Sequence, residues 1–184
     1  MKHNIEKFQE MKNNLRPLFS KEEIQAKVKE LADQINQDFG ENELLHVICV
    51  LKGASFFATD LTRHLKMPVQ LDFIRLSSYG DSSVSSGVVK AVDLSLPDLQ
   101  GENVLIVEDI IDTGRTINFL TIYLKEQLNI PNVEFVTLFD KPCRREINCD
   151  VKYKGFQIED KFIVGYGIDY AGYFRNLEYV GYVE

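Results

Sequence analysis

Three cysteines, three histidines and no long apolar run set the first limits on this 184-residue chain. Cys49, Cys143 and Cys149 are odd in number and lack Cys-x-x-Cys spacing. That argues against a disulfide framework and fits a reducing compartment. Cys49 lies in an apolar run and reads as a core residue; Cys143 and Cys149 read as solvated thiols. His3, His46 and His64 form no ligand pattern, which argues against dedicated zinc chemistry and a histidine triad. No segment reaches the roughly 18 apolar residues of a membrane span. The start, Met-Lys-His-Asn-Ile-Glu-Lys, has no apolar signal core. The expectation is a soluble, cytoplasmic protein with no membrane partner. Acidic residues outnumber basic ones by 28 to 21, for a net charge of −7. That balance argues against broad binding to nucleic-acid phosphates but leaves room for a local basic pocket. There is no Walker A sequence, and Gly165-x-Gly167 is too incomplete for a dinucleotide site.

What is present is an alternation of helical and strand patterns. Ser20-Lys21-Glu22-Glu23 is a capping box, followed by Ile24, Val28, Leu31 and Ile35 at helical spacing, with Gly40 just past the end. Leu44 to Leu51 reads as a strand broken by Lys52-Gly53. Ser55 then caps a helix reaching about Leu65. Val69 to Leu76 alternates as a half-buried strand does, and Val88 to Leu94 returns after the Ser/Gly-rich stretch Ser77 to Gly87. A turn, Pro97 to Gly101, precedes the apolar strand Val104 to Val107. Ile117, Leu120, Leu124 and Leu128 form the stripe of the next helix, stopped by Pro131. Val133 to Phe139 is a further strand, ending at Asp140-Lys141-Pro142, and Asp160 to Gly165 opens the last segment. Strands alternating with helices predict an α/β domain with a mostly parallel central sheet flanked by helices. No repeat or linker divides residues 1–184. The terminal segments are expected to form a small cap over the carboxyl edge of the sheet.

The most informative stretch is Val107-Glu108-Asp109-Ile110-Ile111-Asp112-Thr113-Gly114-Arg115-Thr116. Two adjacent carboxylates follow a buried parallel strand, where ligands bind in open α/β sheets. A third comes three residues later, before small and hydroxyl residues that lead into a helix. Backbone N–H groups at a helix start, beside threonine hydroxyls, suit a phosphate. The adjacent acids suit sugar hydroxyls and Mg²⁺, which prefers oxygen ligands.

This stretch resembles the phosphoribosyl-diphosphate (PRPP) motif of type I phosphoribosyltransferases. It is most similar to the hypoxanthine-guanine branch, and the resemblance extends from about Leu44 to Arg175. It implies the type I phosphoribosyltransferase fold and transfer of a phosphoribosyl group from PRPP to a 6-oxopurine. The small-molecule substrates would be PRPP and hypoxanthine or guanine. Glu108 and Asp109 match the acidic pair on the ribose hydroxyls and help place Mg²⁺. Asp112 matches the general base near purine N7 and opens the 5′-phosphate loop with Thr113, Gly114, Arg115 and Thr116. Lys52 and Gly53 resemble the pyrophosphate loop, with an unusual cis peptide before Gly53. Lys141 matches the lysine on the purine O6. An ammonium only donates, so it suits an O6 acceptor and rejects adenine's amino group. Phe162 matches the aromatic stacked on the base, with backbone groups of Ile163 on the purine edge. Asp169 matches the acid of a second Mg²⁺, and Arg175 the arginine on pyrophosphate. Ser78 and Tyr79 match a lid dipeptide whose closure excludes water. The expected assembly is a homodimer or homotetramer, with no nucleic-acid partner.

One rival reading stays open at this stage. Some proteins of this fold sense PRPP or nucleotides and bind RNA or DNA. Against it, the chain is acidic and carries no added helix-turn-helix or basic aromatic surface.

Overall fold

A computed structural model of the chain describes residues 2–78 and 89–183. Its elements are α1 (Lys2–Asn13), β1 (Leu15–Phe19), α2 (Lys21–Phe39), β2 (Leu45–Leu51), α3 (Ser55–Thr62), β3 (Val69–Ser78) and β4 (Val89–Asp93). There follow β5 (Asn103–Ile111), α4 (Arg115–Thr121), β6 (Val133–Asp140), β7 (Tyr153–Gln157), β8 (Ile163–Val164) and β9 (Val180–Val183).

A six-stranded sheet runs in the order β4-β3-β2-β5-β6-β7. All its pairings are parallel except that of the edge strand β4. The alternation of side chains along the strands feeds two cores. Val47 and Cys49 of β2 and Leu105 and Val107 of β5 face α2 and α3. Ile48, Val50, Val104 and Ile106 face α4. Fully burying one such aliphatic side chain contributes about 1.5–3 kcal/mol. Cys49 is buried here, as its apolar surroundings predict.

Local chemistry explains the helix ends. Ser20 Oγ accepts the Glu23 N–H, and the Glu23 carboxylate accepts the Ser20 N–H, so α2 starts in a full capping box. Gly40 ends it with φ 73° and its N–H on Asn36 O. Ser55 does not cap α3: it is the first helical residue, and its hydroxyl donates back to Lys52 O at 2.8 Å. The helix also stops at Thr62 rather than near Leu65. Helix α4 widens into a π-helical stretch over Ile122–Gln127, which still carries Leu124 into the core. In β3 the buried side is that of Ile74, while Leu71 and Phe73 on the opposite side are exposed. The alternation there is real, but the apolar positions are divided between both faces.

β1, β9 and β8 form a separate three-stranded antiparallel sheet. Ile163 and Val180 from it join the core under α2 and α3.

Candidate active site

The strand order reverses between β2 and β5: the chain leaves β2 for β3 on one side and returns as β5 on the other. A crevice at the carboxyl ends is the expected ligand site at such a point. β2 and β5 pair as far as Cys49 and Val107, then part. β5 does not end at Val107 but continues beside β6 to the pair Ile111–Asp140. Glu108 and Asp109 therefore sit on a strand supported from one side only, across from Lys52-Gly53.

Gly53 and Asp109 touch. A Cβ on Gly53 would fall 1.6 Å from Asp109 Oδ2, so only glycine leaves room for the carboxylate. Gly167 closes the other side, where an added Cβ would lie 2.1 Å from Gly53 O. The cis peptide is Leu51–Lys52, one bond earlier than the sequence led us to expect. Lys52 is exposed.

Burial dominates the electrostatics of the acid pair. It holds the Glu108 carboxyl well above its ordinary range, and the neighbouring Asp109 charge adds to this. Asp109 is pushed up to about 6 by burial, against the lowering pull of the Ile110 N–H and the Arg175 charge. Asp169 raises it further. Asp109 Oδ1 accepts the Ile110 N–H at 2.8 Å, whereas Glu108 Oε2 is buried without a hydrogen-bond partner. A buried acceptor of this kind is costly unless a donor or cation arrives.

Asp169 and Arg175 meet each other, at 2.5 Å between Oδ1 and Nη2. Asp169 also accepts the Gly172 N–H, and Arg175 donates to Gly167 O at 2.6 Å. The structure thus gathers Gly53, Asp109, Gly167, Asp169 and Arg175 into one corner.

The loop after β5 forms a second corner. Gly114 has φ 84° and precedes the first turn of α4. A Cβ there would lie 2.4 Å from Ile147 O, so the segment following β6 backs the loop closely. Thr113 O accepts from both the Glu146 and Ile147 N–H groups at 3.0 Å. Arg115 pairs with Glu146 at 2.5 Å, and Thr116 is half-buried in α4. Asp112 Oδ1 is buried without a hydrogen-bond partner and lies 3.6 Å from Arg144 Nε.

The third corner lies past β6. The Lys141 N–H bonds to Ile111 O, tying the ends of β6 and β5 together. The residue is only 5% exposed, and Nζ donates to Lys161 O at 2.8 Å. The next residue, Phe162, is 53% exposed and rests edge-on against Tyr170 at 5.4 Å. A broad ring surface is left open beside a buried ammonium. Ile163 is buried and pairs with Tyr182. Of the expected lid pair, Ser78 ends β3 and Tyr79 lies outside the described residues.

Sequence reasoning missed Arg144, Arg145, Asp160 and Gly167. Arg145 pairs with Asp140 and donates to Cys149 Sγ at 3.1 Å, so Cys149 is a half-buried packed thiol rather than a solvated one. Cys143 is exposed. Nothing local marks these arginines. Only their fold neighbours reveal them.

A family profile described as phosphoribosyl transferase domain matches residues 18–171. The hypoxanthine-guanine phosphoribosyltransferase of Bacillus subtilis is 41% identical over 184 residues, covering 100% of this chain and 96% of the relative. A crystal structure of a Bacillus anthracis hypoxanthine-guanine phosphoribosyltransferase, with HEPES in its active site, superposes with TM-score 0.85 at 47% identity. It covers 92% of this chain and 98% of that one. A Staphylococcus aureus hypoxanthine phosphoribosyltransferase superposes with TM-score 0.86 at 36% identity, covering 95% and 94% of the two chains.

Proposed function

The chain belongs to the phosphoribosyl transferase family, and from that premise we propose that it is a purine-salvage enzyme acting on hypoxanthine and guanine. It transfers the 5-phosphoribosyl group of PRPP to N9 of the base, releasing IMP or GMP and pyrophosphate. The observation that carries this reading is the crevice itself. Buried acceptors without hydrogen-bond partners on Glu108 and Asp112 flank a glycine-lined loop and an open aromatic ring beside a buried ammonium.

Glu108 and Asp109 accept from the ribose hydroxyls. Thr113, Gly114, Arg115 and Thr116, with Asp112, hold the 5′-phosphate at the helix start. Lys52, Gly53 and Arg175 take the pyrophosphate. For Arg175 this means sharing or leaving Asp169. Phe162 stacks on the base, Lys141 donates to O6, and Ile163 meets the purine edge through its backbone. As N9 bonds to C1′, the proton at N7 passes to Asp112. Orientation and stabilisation of charge on the departing pyrophosphate are the larger contributions. Ser78 and Tyr79 would supply the lid dipeptide that excludes water from PRPP.

The acids fit Mg²⁺. Among the described residues no three Asp, Glu, His or Cys side chains converge as a cage. Mg²⁺ commonly keeps several waters and binds through one or two carboxylates plus substrate phosphates. Glu108 and Asp109 would hold it with PRPP, and Asp169 would serve a second ion. Bound Mg²⁺ would neutralise charge on the pyrophosphate. No helix among the described residues is long and apolar enough to cross a membrane. The exposed Leu71 and Phe73 on β3 and Val92 on β4 supply an apolar surface for a homodimer or homotetramer.

Pyrophosphate release from PRPP on adding hypoxanthine or guanine, with and without a Mg²⁺ chelator, tests the reading. Base-dependent release that the chelator abolishes is expected. Release independent of the base would contradict it.

A further inference from the structure

The segment after β6 meets the loop after β5 through Arg144, Glu146 and Ile147. A short 3₁₀ turn, Pro142–Arg144, carries the chain from Lys141 toward Asp112. Arg145 is pinned by Asp140 and Cys149, while Glu146 and Ile147 donate to Thr113 O. Between these anchors Arg144 reaches two carboxylates at once. Its Nε lies 3.6 Å from Asp112 Oδ1, and its Nη1 lies 3.4 Å from Asp160 Oδ1. Asp160 Oδ1 is in turn 3.8 Å from Lys141 Nζ. The result is an alternating line of charges, Asp112–Arg144–Asp160–Lys141. Its two ends are the groups assigned above to purine N7 and O6.

We propose that Arg144 is a positioning residue of the purine site, holding Asp112 and, through Asp160, fixing its distance from Lys141. This rests on the purine-transferase reading. Asp112 Oδ1 has no hydrogen bond of its own, so the guanidinium is the charged group holding that oxygen in place. A planar guanidinium can face two carboxylates in a fixed fork, which a lysine cannot. The Arg144 and Asp160 side chains are 53% and 60% exposed, where ion pairs add little to stability. A stability role is therefore weak, and an effect on turnover would be separable from folding. A displacement of about 1 Å at the base can cost on the order of a hundredfold in rate. With Asp112 still anchored through its own backbone, a smaller loss is expected.

The test compares wild type, Arg144→Gln, Arg144→Lys, Asp160→Asn and the Arg144→Gln/Asp160→Asn double variant. Steady-state kinetics with hypoxanthine and thermal unfolding are measured for each. Arg144→Gln should lower kcat about tenfold, with the KM for PRPP changed less than about twofold and an unchanged Tm. Arg144→Lys should recover part of the loss. The double variant should lose less than the product of the two single losses, because both break one line of contacts. Unchanged kcat in Arg144→Gln would overturn the proposal. So would equal losses in kcat and PRPP affinity with a lowered Tm, or single losses that simply multiply. An inactive wild type would instead overturn the purine-transferase reading itself.

Discussion

Replacing Gly53 by alanine tests the packing of the crevice most sharply. The added methyl would stand 1.6 Å from Asp109 Oδ2 and 2.5 Å from its Cγ, distances no side chain tolerates. Asp109 must retreat by about 1.4 Å to bring the nearer contact to 3.0 Å. Gly53 is not among the glycines with positive φ, so the change is one of space and not of backbone conformation. Retreat also threatens the 2.8 Å bond that Asp109 Oδ1 accepts from the Ile110 N–H. Overpacking of this kind costs about 1–3 kcal/mol, or a drop of about 2–12 °C in Tm for a chain of this size. The loss in activity should be larger, because a displacement of about 1 Å would take the Asp109 carboxylate from the ribose hydroxyls proposed as its partners, and such misplacement can cost about a hundredfold. The assay is kcat/KM for PRPP alongside thermal unfolding. A Gly53→Ala protein with wild-type kcat/KM would refute the claim that Asp109 is held in working position by the missing side chain.

Other predictions follow from the same geometry. Asp109 has its carboxyl raised to about 6 from an ordinary 3.8, so the folded state holds its proton more tightly than the unfolded chain. Its stabilising contribution is complete below about pH 4 and is lost as pH rises through 6. The loss is at most about 3 kcal/mol, and Glu108, whose carboxyl burial also raises, acts in the same direction. Urea unfolding at pH 5 and pH 8 should show Asp109→Asn recovering stability at pH 8. An equal effect at both pH values would contradict this. Asp112→Asn should lower kcat by about 10²–10⁴ while weakening PRPP binding far less; equal losses in both would argue against a base. Xanthine should react more slowly than hypoxanthine and guanine in steady-state assays, because the sequence motifs supply a donor for O6 but no extra cation for the xanthine 2-oxo group; a clear xanthine preference would contradict this.

The parts legible in the sequence were those with a strong local cause. The capping box at Ser20–Glu23 and the apolar runs of β2, β5 and β6 needed nothing beyond periodicity and hydrogen-bonding chemistry. β1 was not legible because Pro17 sits inside it. A proline is tolerated there because β1 is an edge strand of the small sheet, bonded to β9 alone. The π-helical widening at Ile122–Gln127 leaves the apolar stripe intact, so spacing cannot reveal it. The acid pair and the Gly114 loop were visible as a motif because their residues are contiguous. Gly167 against Gly53, and Arg144 between Asp112 and Asp160, join residues far apart in the chain. No local pattern encodes such meetings; the sheet order creates them.

The most direct measurement is nucleotide formation from PRPP with hypoxanthine, guanine, xanthine and adenine, each with and without Mg²⁺. The account predicts Mg²⁺-dependent IMP and GMP with little product from adenine, because an ammonium in the role proposed for the buried Lys141 can only donate to the purine's 6-position. No nucleotide from any base, despite measurable PRPP binding, would contradict it and favour a regulator that senses PRPP.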